Sequence, residues 1–364
     1  MASRQMERKR NANMDLLRML SMMMVTMLHA LTKSDLLIFM GNDVPLNGWI
    51  AWVLEVLSVS AVNIFMLISG YFLISTEFKI GRLIEIILQT VFYSAGSFVV
   101  FLLLGQVSLA EMNVYNFLDY IFPIHMETYW FISAYVIIYM LLPLIKAGIY
   151  ALSEKQLQVT ITILLIYECV VKSILPVRLT MDKQGYSFLW YLILFLVGAR
   201  IRLYGFKIVK KAKQGWYVFF ISTVLVFSEI FILSQIQVTT GQLKEMTTVS
   251  LDYNHLLPFI SSVGIFAAFL HAKPITEKVA KVIGLISPYC LGVYLLQENL
   301  MMRYLWQDWF GLRESIEKPV YIFLLHVFGA VIVMFAFGVS VDAVRAILFR
   351  GISKLVYRRD KEKC

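Results

Sequence analysis

Charge is what this sequence has least of. Asp, Glu, Lys and Arg together make up 16% of its 364 residues, against about 25% in an ordinary soluble domain. So little charge cannot cover a water-exposed surface of this size, and a single soluble core is excluded. Cysteine is scarce too: Cys169, Cys290 and Cys364 show no metal-ligand spacing, so neither a metal site nor thiol chemistry is assigned to them. Linkers, low-complexity tracts and repeats are lacking, and no loop is long enough for a soluble domain. One membrane domain over residues 1–364 is expected, with any chemistry inside it.

What is abundant is apolar sequence: 59% of the residues are hydrophobic and the mean hydropathy is +0.73. A membrane-spanning helix needs about 20 mostly apolar residues. Such runs fall near 14–32, 49–75, 83–105, 128–150, 157–175, 186–204, 215–236, 253–271, 284–306 and 319–343. The pattern predicts an all-α, polytopic bundle of about ten transmembrane helices. Glu168 interrupts the fifth run, and the ninth carries Pro288, Gln297 and Glu298. Because the first run contains Arg18 and His29 and lacks a small-residue cleavage site, it reads as a retained helix and not as a signal peptide.

Lys and Arg near span ends set orientation. With a cytoplasmic N-terminus, 24 of them fall on the inside and 8 on the outside, and Arg18 within the first span completes the 33. Both termini are therefore expected in the cytoplasm, with basic segments at 1–13 and 344–364. The formal charge of +9 follows from these segments and short loops, where anionic headgroups attract each cation by about 1 kcal/mol. Membrane lipids, not nucleic acid, are the expected partner, and the plasma membrane the expected location.

Charge placed inside a bilayer is costly, about 2.5–3.5 kcal/mol or more at a helix centre, and marks function by default. The first span holds Asp15, Arg18 and His29. Arg18 and His29 are eleven positions apart, about 16.5 Å of rise and three turns plus about 20°. They share one face at two depths, so that face could line a passage. Taken singly, Arg18 could snorkel to the inner headgroups, His29 could be an interfacial polar residue, and Asp15 could simply pair with Arg18. Their sharing one face is harder to dismiss.

An Arg and a His with ten residues between them in the first helix, here Arg18 and His29, resemble the signature of acyltransferase family 3, the membrane-bound acyltransferases of the surface-glycan type. The likeness continues in Asn-Ile-Phe-Met-Leu-Ile-Ser-Gly-Tyr-Phe-Leu at Asn63 to Leu73, and in the basic pair Lys79 and Arg82. It extends to Tyr129–Tyr135 ahead of Leu141-Leu142-Pro143, and to Ser287–Glu298. Two departures stand out: Gln297 replaces a frequent histidine, and the extracellular hydrolase-like domain of longer members is not expected here.

The resemblance implies an acyl-CoA-dependent O-acetyltransferase: acetyl moves from cytoplasmic acetyl-CoA to a hydroxyl of a surface or lipid-linked glycan, in polysaccharide O-acetylation of the cell envelope. Arg18, Lys79 and Arg82 are the candidates for holding the phosphates of acetyl-CoA, since guanidinium matches phosphate geometry. His29 is the candidate base. Glu55, at comparable depth in the second span, is a candidate partner that would orient the imidazole. Its alternative is an interfacial or pore-lining glutamate. Trp130 could stack on a sugar ring, and Glu298 with Arg303 reads as a structural ion pair. No metal is implied. A transporter or flippase of a lipid-linked glycan is the alternative function, although the paired halves such proteins often show are not evident.

Overall fold

The computed structural model describes residues 10–41, 43–109, 112–175, 178 and 183–362, with side chains through residue 352. Residues 1–9 of the expected basic N-terminus, the tail side chains beyond 352 and Cys364 lie outside them. The described residues are helical and contain no strand. In chain order the helices are α1 (Ala12–Lys33), α2 (Leu46–Ser58), α3 (Ala61–Leu73), α4 (Ile80–Leu103), α5 (Val114–Ile121), α6 (Trp130–Met140), α7 (Leu142–Ala151), α8 (Glu154–Leu165) and α9 (Val171–Ile174). They continue with α10 (Phe188–Tyr204), α11 (Ala212–Thr240), α12 (Leu256–Leu270), α13 (Glu277–Ile286), α14 (Cys290–Gln297), α15 (Trp306–Trp309), α16 (Leu312–Ser315) and α17 (Val320–Glu362).

Among the described residues eight segments are long and apolar enough to cross a membrane, and α6 with α7, bent by 59°, make a ninth if taken as one. The expected ten differ by α10, whose 17 residues sit at the short end of the spanning range of about 17–25. Each expected run corresponds to a helix or a helix pair, but the edges move. The second run breaks between α2 and α3. The fourth bends where Pro143, which has no N–H to donate, enters the second position of α7. The tenth continues as helix to Glu362.

The ninth run ends earlier than expected, at Gln297 rather than near 306. Asn299 explains this. Its Oδ1 accepts from the Met301 amide at 3.0 Å, while its Nδ2 donates to the Tyr93 carbonyl and the Tyr129 hydroxyl, each at 3.0 Å. An asparagine side chain that bonds backbone groups competes with the helical ladder, and the chain turns away over residues 298–305.

Helices α3 and α10 approach until backbones touch. A Cβ on Gly70 would lie 2.1 Å from the Phe195 carbonyl oxygen, and one on Gly198 would lie 2.3 Å from that of Leu67. Within lipid, where apolar burial does not favour helix association, close approach at small residues supplies the packing. The connector from α3 to α4 is tied down as well. Ile74 and Thr76 carbonyls accept from Tyr150 Oη (3.0 Å) and Lys146 Nζ (2.7 Å), and Tyr139 Oη lies 3.3 Å from both backbone polar atoms of Lys79.

The charge that interrupts the fifth run is accommodated by a π-helical turn over Ile166–Val170. The Glu168 carbonyl accepts from Asn254 Nδ2 (3.0 Å). Fully buried Lys172 meets Asp252 Oδ2 at 2.5 Å and Asn254 Oδ1 at 3.1 Å.

Candidate active site

A cavity of about 1090 Å³ runs along α1, and its lining includes both Arg18 and His29. Between them α1 contributes Met22 and Val25, and α3 contributes Val62, Phe65 and Ile68. Lys79 and Arg82, from the start of α4, line the cavity with Arg18, as does Glu85. Trp130, Phe131 and Ile132 from α6 and Tyr294 from α14 also face it. Four of the five site residues expected from sequence thus border one space, with cations toward one end of α1, imidazole toward the other, and an apolar stretch between.

Arg18 is held by the helix that carries it. Asp15, one turn earlier, meets Arg18 Nη1 at 2.7 Å and also pairs with Arg10. Ser287 Oγ donates to Asp15 at 3.1 Å and lies 3.4 Å from Arg18 Nη1. Both contacts of Arg18 use Nη1. Lys79 and Arg82 are exposed, and Arg82 reaches the hydroxyl of Tyr135.

At the other end the carboxylate beside His29 is Glu298, not Glu55. Glu298 Oε2 lies 3.2 Å from His29 Nε2 and 2.5 Å from Lys33 Nζ, and Oε1 lies 3.5 Å from Arg303 Nε. The Glu298 carbonyl accepts from Arg303 Nη2 at 2.9 Å. Gln307 Nε2, in α15 just beyond the irregular segment, donates to the backbone carbonyl of His29 at 3.4 Å. The chain that follows α14 therefore meets His29 at both side chain and backbone.

Glu55 is buried at the expected depth, but it meets α1 at Thr32, and its Oε2 has no hydrogen-bond partner. It is not among the cavity-lining residues. Equal depth on antiparallel helices leaves the direction of a side chain around the helix axis free, and the segment after α14 occupies the place beside the imidazole. Glu298 was legible in sequence as the partner of Arg303 but not as the neighbour of His29. The one available signal was Lys33, a cation at the end of α1 in need of a counter-charge.

Other polar residues fall outside this constellation. His255 lies 3.5 Å from Glu229, and His326 Nδ1 lies 2.6 Å from the Phe310 carbonyl. Gln297, where the family often carries histidine, is fully buried, with its amide beside the His29 ring. Trp130 lines the cavity stacked on Tyr191 and Tyr253, with centroids 5.9 and 6.0 Å away. Among the described residues no group of three His, Cys, Asp or Glu side chains is placed to hold a metal.

The arrangement has room for a long ligand, with cations at one end of one cavity and an imidazole at the other. No curated protein and no solved structure matches the chain. The acyltransferase domain of acyltransferase family 3 matches residues 11–341, nearly the whole length, and the chain is therefore a multi-pass membrane member of acyltransferase family 3.

Proposed function

We propose that this acyltransferase moves an acetyl group from cytoplasmic acetyl-CoA to a hydroxyl of a surface or lipid-linked glycan. The observation that carries the reading is the single cavity bordered by Arg18, Lys79 and Arg82 at one end and His29 at the other. Acetyl-CoA has a matching layout: phosphates at one end, a long uncharged arm, and the thioester at the far end. Three cations suit the phosphates, the apolar lining suits the arm, and about 16.5 Å of helix separates Arg18 from His29.

His29 then takes the proton of the acceptor hydroxyl as its oxygen bonds to the acyl carbon. The carbon–sulfur bond breaks, and the same proton passes to the departing thiolate, giving free CoA and the ester. Glu298 at 3.2 Å stabilises the imidazolium formed between these events. Lys33 and Arg303 around it favour the ionised carboxylate, so Glu298 does not compete for the proton.

Reconstituted protein, radiolabelled acetyl-CoA and a crude glycan-lipid acceptor pool test this reading. Labelled glycan lipid is expected, and His29→Ala should reduce its formation by ~10²–10⁴-fold, the usual worth of a general base. Absence of transfer by folded wild-type protein would overturn the proposal. Comparing surface polysaccharide from strains with and without the protein identifies the acceptor through loss of a base-labile acetyl group.

A further inference from the structure

Attack on a thioester places negative charge on the carbonyl oxygen, and the largest catalytic effects come from donors already aimed at that charge. His29 accepts a proton and Glu298 accepts hydrogen bonds, so neither stabilises an oxyanion.

Tyr294 has the required properties. It is 5% exposed, lines the cavity and has no hydrogen-bond partner for its hydroxyl. A buried hydroxyl without a partner costs stability, which calls for an explanation. The residue stands four positions before Glu298, and the Glu298 amide donates to its carbonyl at 3.0 Å. Its backbone therefore lies about one turn, ~6 Å of rise, from that of Glu298, whose carboxylate touches His29.

A second, independent set of donors stands beside it. Helix α6 begins at Trp130, and its N-cap, Tyr129, supplies no side-chain hydrogen bond. The first backbone amide there with a carbonyl partner is that of Ser133, bonded to Tyr129, so the amides of Trp130, Phe131 and Ile132 are the unsatisfied groups of a helix start. All three residues line the cavity. The ring of Phe131 meets that of Tyr294 edge-on at 6.1 Å, and the Phe131 amide lies near the Tyr294 hydroxyl without closing a hydrogen bond. The positive end of a helix dipole and Tyr294 thus border one cavity and touch through the Phe131 ring.

We infer that the Tyr294 hydroxyl, with the free amides that open α6, forms the oxyanion site of acyl transfer, making Tyr294 a catalytic residue. The acceptor oxygen adds to the thioester carbon, and the carbonyl oxygen becomes an anion that accepts a hydrogen bond from Tyr294. The phenol keeps its proton. When the anion re-forms the carbonyl, the sulfur departs and receives the proton carried by His29. The inference rests on the acyl-CoA reading above.

Tyr294→Phe tests it, because the substitution removes one oxygen atom and keeps the ring. Expected are a ~10²–10³-fold fall in kcat, unchanged equilibrium binding of acetyl-CoA, and a melting temperature equal to or above wild type, since an unpartnered polar atom has been removed. A CoA-linked phosphonate, a tetrahedral anion, should bind wild type more tightly than Tyr294→Phe by a similar factor. A purely structural tyrosine predicts the reverse: lower stability and full kcat. Wild-type kcat in Tyr294→Phe, or equal phosphonate affinity, would overturn the inference while leaving the reaction intact. Absence of transfer by wild type would instead overturn the acyl-CoA reading.

Discussion

Asn299 donates to the hydroxyl of Tyr129 at 3.0 Å, and both side chains are all but fully buried. This bond joins the segment that carries Glu298 to the residue just before α6. The second Asn299 bond, to the Tyr93 carbonyl, adds α4. Asn299→Ala should therefore cost about 1–3 kcal/mol through stranded partners, read as a lower melting temperature in detergent, and Tyr129→Phe should not add its full cost in the double variant.

In the proposed reaction Glu298 acts through His29, so a double-mutant cycle separates that role from a simple ion pair. Glu298→Gln alone should lower kcat at least ~10-fold with acetyl-CoA binding unchanged, and in a His29→Ala background it should have little further effect. Glu298→Asp, which keeps the charge but withdraws it from the ring, should fall between. Additive losses would assign Glu298 to structure.

Arg18→Ala should weaken acetyl-CoA binding, and Arg18→Lys should restore only part of it, because lysine keeps the charge and loses the planar fork. Calorimetry on inserted, monodisperse protein measures both. Equal affinity of wild type and Arg18→Ala would remove Arg18 from the donor site.

Gly70→Leu should prevent α3 and α10 from meeting, since the Phe195 carbonyl leaves no room for a Cβ. A cost above the ~1–3 kcal/mol usual for overpacking is expected, because the obstructing atom is backbone. Loss of monodisperse protein on size exclusion, with Gly81→Leu unaffected, checks this; nothing lies within 4 Å of a Cβ on Gly81.

A reporter fused after Lys361 should be cytoplasmic and one inserted near Asn113 should be external, following the 24-to-8 distribution of basic residues. Finding both on one side would sink the proposed orientation.

Much of the fold is legible in the sequence because lipid makes one demand of every span, a sufficient length of apolar residues. That demand does not say where a helix stops when the next residues are also apolar. Leu300, Met301 and Met302 prolong the ninth run in sequence, and only the bonds of Asn299 end the helix at Gln297. The alignment of Arg18 with His29 follows from the helical period within one element. The partner of His29 belongs to another element and an irregular segment, so no period reaches it. Glu55 was placed by depth alone, which leaves a full circle of directions open. Tyr294 gave no signal, because a tyrosine in an apolar run looks the same whether its hydroxyl is bonded or free.

The six residues from Ile74 to Lys79, tied to α6 and α7 by Tyr139, Lys146 and Tyr150, connect two helices yet are fastened like the interior of one. The amides of Ile74, Ser75, Thr76 and Lys79 are hydrogen-bonded, and these four should exchange with deuterium more slowly than open loop amides. The connector that borders the basic end of the cavity is then tethered at both its ends. What moves freely there is the exposed Lys79 and Arg82 side chains, whose rotation takes picoseconds to nanoseconds and is faster than loop opening.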